Sequence, residues 1–177
     1  MPLPSIGPAQ VASALQRWYE FPPEKAWALA EAGPGHIRSP WSIPGMDALV
    51  GRLHASVQRR EPILVFGDFD ADGITGTAIL VRALAASGSP VRYYTPLYSE
   101  GYGLHREQVE RFAGQGIRLI VTVDSGITSH PAVARAHELG IEVLITDHHL
   151  PRPDMPPPPC QWVDPPDHLL CGAQLAC

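Results

Sequence analysis

Apolar residues recur along the chain at two different periods, and the switches between them divide it into elements. Over 46–59, Met46, Leu49, Val50, Leu53 and Val57 fall at helical spacing and predict an amphipathic helix. From residue 62 onward, short apolar runs alternate with helical stretches. Strands are predicted at 63–66, 91–95, 117–123 and 141–146, with Val163 marking a fifth. Helices are predicted at 74–87, 105–113 and 131–139, each followed closely by glycine (Gly88, Gly114 and Gly116, Gly140). Strands alternating with helices imply βαβ units. The expected fold is therefore α/β, a mainly parallel open sheet of about five strands with helices on both faces. Residues 1–45 are rich in Pro and Gly and carry one predicted helix, 23–32, with Pro23 in its first turn and Gly33 and Pro34 stopping it. The expected division is an N-terminal helical or irregular segment, 1–45, and an α/β domain over 46–177.

Two late stretches qualify this picture. PRPDMPPPP (151–159) cannot enter a sheet interior, because proline lacks the N–H donor, and reads as an extended surface connection. LLCGAQLAC at the end reads as the start of a helix, so the fold is expected to continue past Cys177.

Composition narrows the class. Hydrophobic residues make up 45%, enough for a packed core, and the net charge of −5 argues against a generic basic coat for nucleic acid. It leaves room for a nucleic-acid enzyme whose clustered aspartates are offset by bound metal. Cys160, Cys171 and Cys177 form neither a disulfide framework nor a Cys-x-x-Cys metal spacing, which suits reduced thiols in the cytoplasm. No basic stretch followed by an apolar one opens the chain, so no signal peptide is expected. No run approaches the ~20 apolar residues of a membrane span, and no membrane partner is expected.

The chemistry gathers in three acidic clusters, each just past a predicted strand. GDFDADG (67–73) follows the first strand; Asp68 and Asp70, two apart in an extended segment, point the same way. Gly67 and Gly73 permit a tight turn, and the next helix aims its N-terminus at the same place, which suits a phosphate. A calcium loop of EF type is excluded, since Ile79 stands at the twelfth position where glutamate is needed. TVDSGITS (122–129) leaves the third strand with Asp124, and ITDHHL (145–150) leaves the fourth with Asp147, His148 and His149. Taken singly, a solvated Asp turn explains each. Together they lie at the carboxyl ends of three strands, where open α/β sheets bind ligands. Aspartates with one or two histidines suit Mn²⁺ or Mg²⁺ better than thiolate-seeking metals, and Zn²⁺ remains open. Two ions ~3.5–4 Å apart are the standard clamp for attack on phosphorus. Asp124, alone on the middle motif, is the natural bridging ligand.

These residues resemble the first three motifs of the DHH phosphoesterase superfamily, and the DADG wording resembles its RecJ exonucleases. The likeness extends to MDALVGRLHASVQRREPILVFGDFDADG, to SEGYGLH (99–105) and to ARAHELGIEVLITDHHLP, and covers roughly 40–165. The resemblance implies a 5′→3′ exonuclease on single-stranded DNA, serving repair and recombination, with two Mn²⁺ or Mg²⁺ ions. It implies Asp68 and Asp124 at the first metal and Asp70, Asp124 and His148 at the second. His149 would contact the scissile phosphate, and Asp147 and Asp72 would support the site. Tyr102 and Gly126 join His149 as expected substrate contacts, Tyr102 as a stacking platform for bases. The pattern departs from the family in two ways. Phe66 stands where some relatives carry histidine, and no fourth metal-binding aspartate has a place before Cys177, since Asp164 and Asp167 come too early. Two other functions compete: a small-nucleotide phosphohydrolase on the same sheet, and a truncated, inactive relative that binds DNA or a protein partner.

Overall fold

In a computed structural model, residues 6–33, 39–151, 160–163 and 170–176 are described. The proline run over 152–159, together with Asp164 and Asp167, lies outside them. The chain divides into two compact units, Met1–Ser39 and Pro40–Cys177.

The first unit holds two helices, α1 (Pro8–Tyr19) and α2 (Pro23–Ala30). The sequence reading anticipated only α2. The signal for α1 was there: Pro8 at the first turn, then Val11, Leu15, Trp18 and Tyr19 at helical spacing. The surrounding prolines and glycines obscured it. Ala12 and Ala26 are the fully buried positions of these helices.

The second unit runs α3 (Met46–Arg59), β1 (Ile63–Gly67), α4 (Ala71–Ala86), β2 (Val91–Tyr94), α5 (Arg106–Gly114), β3 (Leu119–Val123), α6 (His130–Glu138), β4 (Glu142–Thr146), β5 (Gln161–Trp162) and α7 (Gly172–Leu175). Every strand pair is parallel, in the order β2-β1-β3-β4-β5. The expected α/β sheet of about five strands is present, the fifth reduced to two residues just before Val163.

Alternation along the strands splits the core in two. Ile63 and Val65 of β1 join Met46, Leu49, Leu80, Leu84, Val121 and Leu175 on the face covered by α3, α4 and α7. Leu64 and Phe66 join Val109, Phe112, Ile120, Val133 and Ile145 on the face covered by α5 and α6. Burial on both faces explains why the strands read as continuous apolar runs. Phe66 stacks on Tyr94 and meets Phe112 edge-on, so the position that is histidine in some relatives is a core position here.

One boundary shift matters for function. α4 begins at Ala71, not at residue 74, because Asp70 is its N-cap: the Asp70 carboxylate accepts from the Asp72 and Gly73 N–H groups. Gly73 has no room for a side chain, since a Cβ there would lie 2.6 Å from Asp68 Cβ.

Phe112 is 2% exposed and packs on both Phe66 and Tyr94. Phe112→Ala is expected to cost about 3–5 kcal/mol in denaturant unfolding. A loss under about 1 kcal/mol would show that this face of the core is not packed as described.

Candidate metal centre

The strand register builds the site. Gly67 of β1 pairs with Val123 of β3, and Val123 pairs with Thr146 of β4. The next residues, Asp68, Asp124 and Asp147, therefore leave three adjacent strands at one level. Backbone bonds fix that level: Asp68 N–H donates to Val123 O and Asp124 N–H to Thr146 O. With this strand order the connection changes direction between β1 and β3, the switch point at which such sheets bind ligands.

Asp68 and Asp124 are buried, at 5% and 2% exposure, whereas Asp70 is exposed. Asp68, Asp70 and Asp124 each offer a carboxylate oxygen, all within 4.8 Å of one another. Asp124, His148 and His149 form a second such group. Asp124 belongs to both. Asp70 groups with Asp68, and His149 groups with His148.

The surrounding bonds sort the five carboxylates by task. Asp70 caps α4. Asp147 accepts from the Ile127 and His149 N–H groups. Asp72 accepts from Gly172 N–H at 2.6 Å and Ala173 N–H at 2.8 Å. In contrast, Asp68 Oδ1 and Asp124 Oδ1 are buried and accept no hydrogen bond. Asp124 Oδ1 has the His148 Nε2 atom 3.0 Å away as its ionic neighbour. Buried carboxylate oxygens without donors are costly, and a cation is the usual remedy.

Charge follows geometry. Burial, with Asp72 and Asp70 nearby, pushes the Asp124 carboxyl up to about 7. Burial also raises Asp68. Asp72 moves the other way: burial opposes its ionisation, but the Ala173 and Gly172 amides outweigh it.

The second histidine is held firmly. His149 Nδ1 lies 2.8 Å from Asp147 Oδ1, and this bond raises its pKa. Tyr102 OH lies 2.9 Å from the same nitrogen and donates to Asp124 O at 3.1 Å. The Tyr102 ring, 41% exposed, meets the His149 ring edge-on. Tyr102 is delivered by a loop that Glu100 braces, accepting from Tyr94 OH and Leu97 N–H. Gly126 lies in the turn after Asp124 at φ 111, where a Cβ would strike the Thr122 hydroxyl. The sequence reading did not anticipate the Tyr102 hydroxyl contacts or the part played by Gly172 and Ala173. The first leaves no periodic signal, and the second joins residues 100 apart.

Residues 62–177 match the DHH family, N-terminal domain. The chain belongs to the DHH family. Within it, the single-stranded-DNA-specific exonuclease RecJ of Escherichia coli (strain K12) is 40% identical over 153 residues, covering 84% of this chain and 26% of that protein. The protein of the same name from Bacillus subtilis (strain 168) is 36% identical over 147 residues, covering 82% of this chain and 19% of that one. A crystal structure of exonuclease RecJ bound to manganese superposes at TM-score 0.71 and 40% identity, over 78% of this chain and 37% of that one. This DHH chain thus spans about a quarter or less of the length of these curated relatives. Among the described residues no helix is long and apolar enough to cross a membrane.

Asp124 yields a pH prediction. Its folded pKa of about 7 lies above its ordinary value of 3.8, so the folded state holds a proton that the unfolded state has lost between those values. Stability from this group therefore falls as pH rises from about 4 to about 7, then levels. Without metal, Asp124→Asn is expected to melt higher than wild type at pH 8, with the gap closing toward pH 5. A gap independent of pH would sink the assignment.

Proposed function

We propose that this chain is the metal-binding catalytic part of a RecJ-type nuclease, a phosphodiesterase that degrades single-stranded DNA in the 5′→3′ direction in repair and recombination. The observation that carries the reading is the pair of buried oxygens that accept no hydrogen bond, Asp68 Oδ1 and Asp124 Oδ1, at the ends of the adjacent strands β1 and β3. Oxygen donors with one or two imidazoles fit Mn²⁺ or Mg²⁺. The manganese-bound RecJ neighbour supports that choice.

In this reading Asp68, Asp70, Asp124 and His148 would hold two divalent ions, Asp124 being the residue common to both donor groups. When bound, the ions lower the pKa of the attacking water and offset the charge that develops on the phosphoryl oxygens. The chain's own groups do the rest. The Asp147 carboxylate accepts a hydrogen bond from Nδ1–H of His149, and in the cationic ring Nε2–H is left to donate to a phosphate oxygen. The raised pKa of His149 favours the cationic ring that an anionic phosphate needs. Asp72 and Asp147 keep backbone and imidazole in place. Tyr102 offers an exposed ring beside His149 for a base or sugar, and Gly126, with no side chain to meet Thr122, keeps the turn after Asp124 in place beside the substrate. Residues 46–177 form the DHH part and 1–45 an appendage. The protein works in the cytoplasm in this reading.

The test is release of mononucleotides from a 5′-phosphorylated single strand in Mn²⁺, run beside hydrolysis of short dinucleotides. Release from the strand, abolished by EDTA and by Asp124→Ala while the circular dichroism spectrum is unchanged, is the expected result. Turnover confined to dinucleotides would favour the small-nucleotide reading. Wild-type turnover by Asp124→Ala would defeat the bridging role. Mn²⁺ is also expected to raise the melting temperature, in proportion to the logarithm of its concentration above saturation.

A further inference from the structure

Asp72 sits among the acidic groups of the site, its Oδ2 3.7 Å from His148 Nε2, and both of its oxygens also accept backbone hydrogen bonds. Oδ2 accepts from Gly172 N–H and Oδ1 from Ala173 N–H, the first two residues of α7. α7 is four residues long, too short to hold its shape unaided. It is also packed unusually close. A Cβ on Gly172 would lie 2.6 Å from Asp124 Cβ and 3.0 Å from its carboxyl carbon. A Cβ on Gly76 of α4 would lie 3.2 Å from Ala173 Cα and from Gly172 O. Two glycines thus let α7 drop between α4 and the end of β3, and Leu175, 4% exposed, anchors it in the core below. The wall behind the Asp124 side chain is therefore the backbone of residue 172.

We infer that Asp72 and residues 172–173 form a latch that positions the Asp124 carboxylate for metal binding. Asp72 is then a positioning residue: it holds the start of α7, and Gly172 holds Asp124. Of Asp72, Gly172, Ala173 and Asp124, only Asp124 would touch metal. The inference rests on the metal reading above for its affinity readout, but not for its backbone readout.

The experiment combines Mn²⁺ titration with hydrogen exchange of the Gly172 and Ala173 amides in this chain. Variants are Gly172→Ala, Asp72→Asn, and Gly51→Ala as a control, since a Cβ on Gly51 meets nothing within 4 Å. In wild type both amides are expected to be protected, and Asp72→Asn is expected to release them. Gly172→Ala and Asp72→Asn are each expected to weaken Mn²⁺ binding by about tenfold or more, and Gly51→Ala to leave it unchanged. A folded Gly172→Ala that binds Mn²⁺ as wild type does would overturn the latch. Should Gly172→Ala fail to fold, Asp72→Asn decides: unchanged amide protection and unchanged affinity overturn it. If wild type binds no Mn²⁺, the metal reading fails by itself. Fast exchange of both amides in wild type would then overturn the latch as well, and protection that Asp72→Asn abolishes would uphold the Asp72 contact.

Discussion

Five carboxylates crowd the carboxyl edge of this sheet, and the rest of the site is arranged around the repulsion between them. At ~5 Å and an effective dielectric of about 20, two like charges repel by roughly 3 kcal/mol. The fold answers this unevenly. Asp70, Asp72 and Asp147 each accept two backbone N–H groups. Asp68 and Asp124 each keep a buried oxygen with no donor. A protein that needed these two aspartates only for its own stability would gain from neutral side chains there. Burial and the neighbouring carboxylates raise both pKa values.

Such a cluster can form only because the register is fixed elsewhere. Residues 67, 123 and 146 pair across three strands, and each strand is pinned by apolar side chains on both faces. A one-residue slip in β3 would turn Asp124 to the other face and expose Val121 and Val123 to the wrong layer. The hydrophobic core thus sets the positions of the charges, and the charges contribute little to the core.

The same logic explains what could be read from the chain before its structure was seen. The strands of the second unit, α3, and the aspartates after β1, β3 and β4 follow from periodicity and from the rule that ligands gather at carboxyl ends. Helix α1 was missed because its spacing signal lies among prolines and glycines. The start of α4 was misplaced because Asp70 was read only as a ligand, although aspartate followed by a helical stretch is also an N-cap signature. The contacts of Tyr102 OH and of Asp72 depend on tertiary placement, and no local pattern encodes them. Gly172 illustrates the limit: its neighbours in sequence say nothing of Asp124, 48 residues earlier, which fills the space its side chain would need.

Asp124 also carries a backbone cost. Its φ of 59° lies in the left-handed region, uncommon for a residue other than glycine, though aspartate tolerates it better than most. Such strain persists only where the surroundings over-determine it. Here they do. The amide donates to Thr146 O, the carbonyl accepts from Tyr102 OH, and the side chain is backed by Gly172. Three different elements thus hold one residue in a conformation that aims its carboxylate back over the ends of β1 and β4. Strain, crowding and a buried oxygen without a hydrogen bond therefore fall on one residue, the one that belongs to both donor groups.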